Sequence, residues 1–157
     1  MKLQPANAAA RKNYAAAAAR SGKRAEATEI WRDTVRANPE DVVTRGELAG
    51  ALYDAGDYEG ARYQYKEILR RKPNSANALN GIGLLHLREL KLPQAEAAFR
   101  GAINANTSYV AAYNNLAIVM EKLNRRPQAI SLLERAAKID PRNADVQRNL
   151  RRLKSDS

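Results

Sequence analysis

Few residues in this chain can do chemistry, and their spacing limits what that chemistry is. His86 is the single histidine, and there is no cysteine. Disulfides and thiolate metal sites are therefore excluded, and no cysteine can join His86 as a ligand. His86 reads as a structural residue, and no nucleophile–histidine–acid set is signalled. Gly81-Ile82-Gly83 shares two glycines with a dinucleotide loop. It lacks the third, falls within a helical pattern rather than after a strand, and is explained by close helix packing at Gly83. There is no phosphate-binding loop. No catalytic role, cofactor or metal is expected. What remains is binding chemistry. Asn80, Asn114 and Asn115 each carry a donor and an acceptor suited to the amides of an extended chain. Leu84, Leu87 and Ile118 could anchor an apolar side chain. Lys12, Arg20, Arg148 and Arg152 would favour an acidic or carboxylate-ended segment.

These groups sit in a chain of 157 residues that is 45% hydrophobic, 28% charged and carries a net charge of +10. That composition fits a folded domain or a short repeat array. No apolar run approaches the roughly 18 residues of a membrane span. The opening Met1-Lys2-Leu3-Gln4-Pro5 lacks the apolar core of a signal peptide, so a cytoplasmic product is expected. Excess Lys and Arg commonly solvate helix faces. The same charge attracts nucleic acid, anionic membrane or acidic protein segments.

The elements that position the binding groups are marked by punctuation. Pro5, Pro39, Pro73 and Pro141 share a period of 34, with Thr107 in the one slot lacking proline. Two residues later come the capping types Asn7, Asp41, Ser75 and Asn143, with Tyr109 the exception. Counting repeats from Ala8, Val42, Ala76 and Val110, position 7 holds Tyr14, Leu48, Ile82 and Leu116. Position 8 is small, as Ala15, Ala49, Gly83 and Ala117, and position 20 is always alanine. Position 24 is large, as Trp31, Tyr65, Phe99 and Leu133. Offsets of 4, 7 and 8 from position 20 fall on one helix face. Gly22, Gly56, Leu90 and Asn124 occupy position 15, a helix C-terminus. Pro93 and Pro127 follow in the first turn of a second helix. The pattern predicts helices near 8–20, 24–38, 42–54, 58–72, 76–89, 93–106, 110–122 and 127–139, and a ninth at 144–154. Pro5 is itself in phase, so Leu3-Gln4-Pro5 reads as the end of a preceding helix, as in a slice of a longer array.

Small residues at 8 and 20, an aromatic at 24 and proline at 32 resemble the tetratricopeptide repeat. Residues 42–75 fit best, through Leu48-Ala49, Gly56-Asp57-Tyr58, Ala61, Tyr65 and Pro73. The resemblance implies an all-α solenoid, a right-handed superhelix of helix pairs. It would form one array over residues 1–157, with repeats 8–41, 42–75, 76–109 and 110–143 and a capping helix at 144–154. Residues 8–41 depart most, because their first helix is dominated by alanines that bury little area.

The resemblance also implies that the first helix of each pair lines a concave groove, through positions 2, 5, 6, 9, 12 and 13. Those positions bring Lys12 and Arg20, then Gly46, Gly50 and Tyr53, then Asn80, Leu84, Leu87 and Arg88. Asn114, Asn115, Ile118 and Lys122 follow, and Arg148 and Arg152 close the row. Gly46 and Gly50, which are poor helix formers, would leave the groove open to a ligand. The carboxylate-clamp branch of the family needs Lys at 5 and Asn at 9 in one helix. Lys12 matches, but Ala16 stands where asparagine is required. The expected role is a scaffold binding a peptide, acidic in character, of another protein. The alternatives are a basic nucleic-acid-binding repeat and a self-assembling scaffold. Against nucleic acid, only Tyr53 offers a stacking aromatic near the basic groups.

Overall fold

The computed structural model describes residues 5–155, which hold nine α-helices and no strand. One compact unit contains α1 (Pro5–Arg20), α2 (Arg24–Ala37), α3 (Val42–Asp54) and α4 (Tyr58–Arg71). A second contains α5 (Ala76–Arg88), α6 (Leu92–Ala105), α7 (Val110–Lys122), α8 (Arg126–Ile139) and α9 (Ala144–Ser155). The division falls between Pro73 and Asn74.

Local chemistry accounts for the boundaries. The Asp41 carboxylate accepts from the Val43 and Thr44 amides, and the Asp57 carboxylate from the Gly60 amide. Ser75 caps α5 and Asn143 caps α9 in the same way, while Tyr109 makes no side-chain cap. Each such bond satisfies a helix-end N–H that would otherwise lack a partner. All four turn residues at position 15 have positive φ, at 88° for Gly22, 83° for Gly56, 56° for Leu90 and 57° for Asn124. The chain thus keeps one turn geometry even where leucine replaces glycine.

Packing follows the repeat. Ala27, Ala61, Ala95 and Ala129 are each 0% exposed, so a methyl is the largest group those close helix approaches admit. Trp31, Tyr65, Phe99 and Leu133 are buried beside them. A Cβ built on Gly83 would lie 2.5 Å from the Phe99 ring, which leaves no room for alanine there.

A further lock recurs at position 4. Arg45 donates to the Pro39 carbonyl at 2.9 Å, Tyr113 to that of Thr107 at 3.1 Å and Gln147 to that of Pro141 at 3.2 Å. Three different side chains thereby satisfy the equivalent loop carbonyl six residues upstream, a backbone acceptor that needs a partner. Leu79, at the same position, has no donor. Arg45 is 5% exposed, and its other amino group donates to Gln64 at 2.6 Å.

Two expectations are corrected in the first pair. α1 starts at Pro5, so Asn7 lies inside the helix instead of capping it. Proline suits a first helical position because no N–H is needed there, and the alanines that follow favour helix. Leu3 and Gln4 lie outside the described residues. Tyr14, expected on the inner apolar face with Leu48, Ile82 and Leu116, is 52% exposed and donates to Glu26 at 2.6 Å. Among the described residues no helix precedes α1 to cover it.

Candidate interaction surfaces

In the first unit the candidate residues lie on α1 and α3. The Lys12 ammonium bonds the Asp41 carboxylate at 2.8 Å, tying α1 to the start of α3. Burial pushes the Asp41 carboxyl up, but its bonds from Lys12 and Thr44 outweigh this and hold it below the usual range. Arg20 is exposed in the last turn of α1. Gly46 is buried, whereas a Cβ on Gly50 would meet nothing within 4 Å. Gly50 therefore marks open space and Gly46 does not. Tyr53 is half-buried and packs edge-on against Tyr58, ring centroids 5.4 Å apart. Arg71, in the last turn of α4, ties neighbouring elements together. It grips Glu40 through two bonds of 3.1 Å and Glu67 through one of 2.7 Å, joining the α2–α3 loop to α4. Those bonds hold both carboxyls below their usual range.

The second unit brings candidates from α5, α7 and α9 into register. Asn115 Nδ2 donates to Asn80 Oδ1 at 2.9 Å, and Asn149 Nδ2 donates to Asn114 Oδ1 at 2.8 Å. Position 5 of one first helix thus accepts from position 6 of the next, twice in succession. Asn80 is 6% exposed, and Asn114 and Asn115 are half-buried. Leu84 and Leu87 are half-buried against the core, and Ile118 is half-buried at the position equivalent to Leu84. Arg152, the next residue in that row, holds both Glu121 oxygens at 2.5 and 2.7 Å and lowers that carboxyl's pKa. Arg148 pairs with Asp145 at 3.1 Å on a well-exposed surface. Arg88 and Lys122 are exposed. His86, half-buried, has Nδ1 4.0 Å from a Glu89 oxygen.

The residue that sequence reasoning missed is Asn149. Its signal was a spacing of 35, one more than the period, shared by the pairs 80–115 and 114–149. Among the described residues no three metal-ligating side chains gather, and no helix is long and apolar enough to cross a membrane.

Tetratricopeptide-repeat family profiles match residues 15–76, 47–109 and 86–153. The chain belongs to the tetratricopeptide-repeat family, and its fold is of the all-α tetratricopeptide solenoid class. It is 35% identical over 68 residues to the tetratricopeptide repeat domain-containing protein PYG7, chloroplastic, of Arabidopsis thaliana, covering 43% of this chain and 23% of that protein. It spans less than a quarter of the length of the curated relatives it matches. Its fold resembles that of TTC0263, a tetratricopeptide protein of Thermus thermophilus, with a TM-score of 0.84 and 16% identity over 95% of this chain and 82% of that one. It also resembles the first such domain of Spaghetti (RPAP3), solved bound to the HSP90 peptide SRMEEVD, with a TM-score of 0.67 and 20% identity over 74% and 93% of the two chains. The repeat fold is in general that of a non-catalytic protein-interaction scaffold.

Proposed function

We propose that this chain is a non-enzymatic scaffold that binds an extended, acidic peptide segment of a partner protein along its first helices. The observation that carries the reading is the pair of asparagine bonds in the second unit. Each uses one amide carbonyl and one amide NH2. The other half of each amide, the NH2 of Asn80 and Asn114 and the carbonyl of Asn115 and Asn149, suits the C=O and N–H of an extended chain. Leu84 and Ile118, one helical turn beyond Asn80 and Asn114, offer an apolar anchor, and Arg88 and Lys122 supply positive charge at the C-terminal ends of α5 and α7. With Arg152 neutralising Glu121, the row presents no uncompensated acid on α7. In the first unit, taken by itself, the open space over Gly50 and the ring of Tyr53 stand at repeat positions equivalent to Leu84 and Leu87. The peptide held by the RPAP3 domain contains two glutamates and an aspartate, which shows this fold accepting acidic segments in that protein.

The reading is tested by affinity capture with the unmodified chain and with a variant carrying Asn80→Ala, Asn114→Ala and Leu84→Asp, circular dichroism checking that the variant keeps its helicity. Proteins retained by the first and lost by the second support it. Equal retention by a folded variant removes it.

A further inference from the structure

The turn edge of the second unit carries a residue that neither the fold nor the peptide row requires. Leu90, at the tip of the α5–α6 turn, has φ of 56° and is 70% exposed. The equivalent turns use Gly22, Gly56 and Asn124, which enter that region readily, whereas a leucine there is strained. The turn's backbone bond, from the Lys91 amide to the His86 carbonyl at 2.9 Å, has counterparts from Asp57 to Leu52 and from Arg125 to Met120. The turn therefore closes without a leucine, and this side chain is held out into solvent at a cost to the chain.

Glu89 and Lys91 adjoin Leu90 directly and pair with each other at 2.8 Å, and the wider surroundings carry an excess of cations. Arg88 precedes that pair, and the α7–α8 turn adds Lys122, Arg125 and Arg126. Arg125 bonds Glu96 at 3.3 Å, setting that turn against the first part of α6. The end of α9 reaches the same edge, because Arg126 donates to the Leu153 carbonyl. It contributes Arg151 and Arg152, so seven cations stand against three acids, Glu89, Glu96 and Glu121, which pair with Lys91, Arg125 and Arg152. An apolar tip within a cationic edge matches the chemistry of an anionic bilayer surface. The leucine can pass the headgroups while the Lys and Arg side chains stay at phosphate level. Nucleic acid would use the cations but would leave the strained leucine without a role.

We propose that the edge formed by the α5–α6 turn, the α7–α8 turn and the end of α9 docks peripherally on anionic lipid membrane, with Leu90 as its inserted residue. The test is cosedimentation with vesicles of phosphatidylcholine alone and of phosphatidylcholine mixed with phosphatidylserine. The unmodified chain should sediment with the mixed vesicles and not with the neutral ones. Leu90→Gly should weaken that binding about tenfold while raising the melting temperature, since it removes both the apolar tip and the strained φ. Lys122→Glu with Arg151→Glu should weaken it by a further factor of at least about ten. No sedimentation with the anionic vesicles, or an affinity unchanged by Leu90→Gly, overturns the proposal. So does tighter binding to an oligonucleotide that Leu90→Gly leaves untouched, which would assign the cations to nucleic acid.

Discussion

Gly83 and Gly50 occupy helix interiors for opposite reasons, and the difference can be measured. A methyl at Gly83 would run into the Phe99 ring, and that ring is 0% exposed and has nowhere to move. Gly83→Ala should destabilise the chain by about 1–3 kcal/mol through overpacking, read as a lower urea midpoint. Gly50 faces open space, so Gly50→Ala should stabilise by about 1 kcal/mol through helix propensity alone. Gly50→Leu should keep the fold and abolish binding of a ligand lying across α3. Undiminished affinity in that variant would show that the space over Gly50 is not used. Glycine at both sites was visible in the sequence, and the tight contact at Gly83 was legible from its repeat position. Open space was expected over both Gly46 and Gly50, and the burial of Gly46 could not be told from the sequence. Glycine has no side chain whose chemistry would reveal its surroundings.

Among the elements, α9 is tied to its neighbours by two ion pairs as well as by apolar burial. Val146 and Leu153 are its buried anchors, and around them Arg152 holds Glu121 and Lys154 holds Glu134. The first cause of each lowered glutamate pKa is the hydrogen bond from the α9 cation. A carboxyl whose pKa is depressed in the folded chain adds stability above its unfolded pKa and loses it as pH falls through the folded one. The docking of α9 should therefore be at full strength near neutrality and weaken as pH drops below the ordinary glutamate range. Amide exchange across Ala144–Ser155 at neutral and acid pH would show this, with α9 protection falling before that of α7. Protection of α9 that is independent of pH would mean that Val146 and Leu153 suffice. The polar caps at Asp41, Asp57, Ser75 and Asn143 and the positive-φ turns at Gly22, Gly56 and Asn124 were legible from local residue types. The lock from Arg45, Tyr113 and Gln147 onto an upstream carbonyl was not, because three unlike side chains perform it.

Across the whole molecule, stability should be graded. Each helix pair is held by its own contacts and those of its neighbours, so a weak pair opens independently of the rest. The buried side chains described in α1 are Ala15 and Ala18, while α7 buries Tyr113, Leu116, Val119 and Met120. Apolar area sets most of the difference. α1 amides should exchange fastest and those of α7 and α8 slowest, an order that hydrogen exchange with mass spectrometry resolves. Slowest exchange in α1 would contradict it.

By itself the sequence determined the helices of the described residues, most of their turns and, Tyr14 apart, their buried faces, to within a few residues. Those features come from signals internal to one period: a cap, a proline, a small residue against a large one. Only the tertiary structure decided how the polar side chains of the first helices are spent. It paired Asn80 with Asn115, Asn114 with Asn149, Lys12 with Asp41 and Arg152 with Glu121, and it left Leu90 pointing into solvent. Such pairs form between neighbouring helices offset by a residue or more from strict repeat equivalence. A periodic pattern places side chains on a face, and only the packed backbone sets the distance between them.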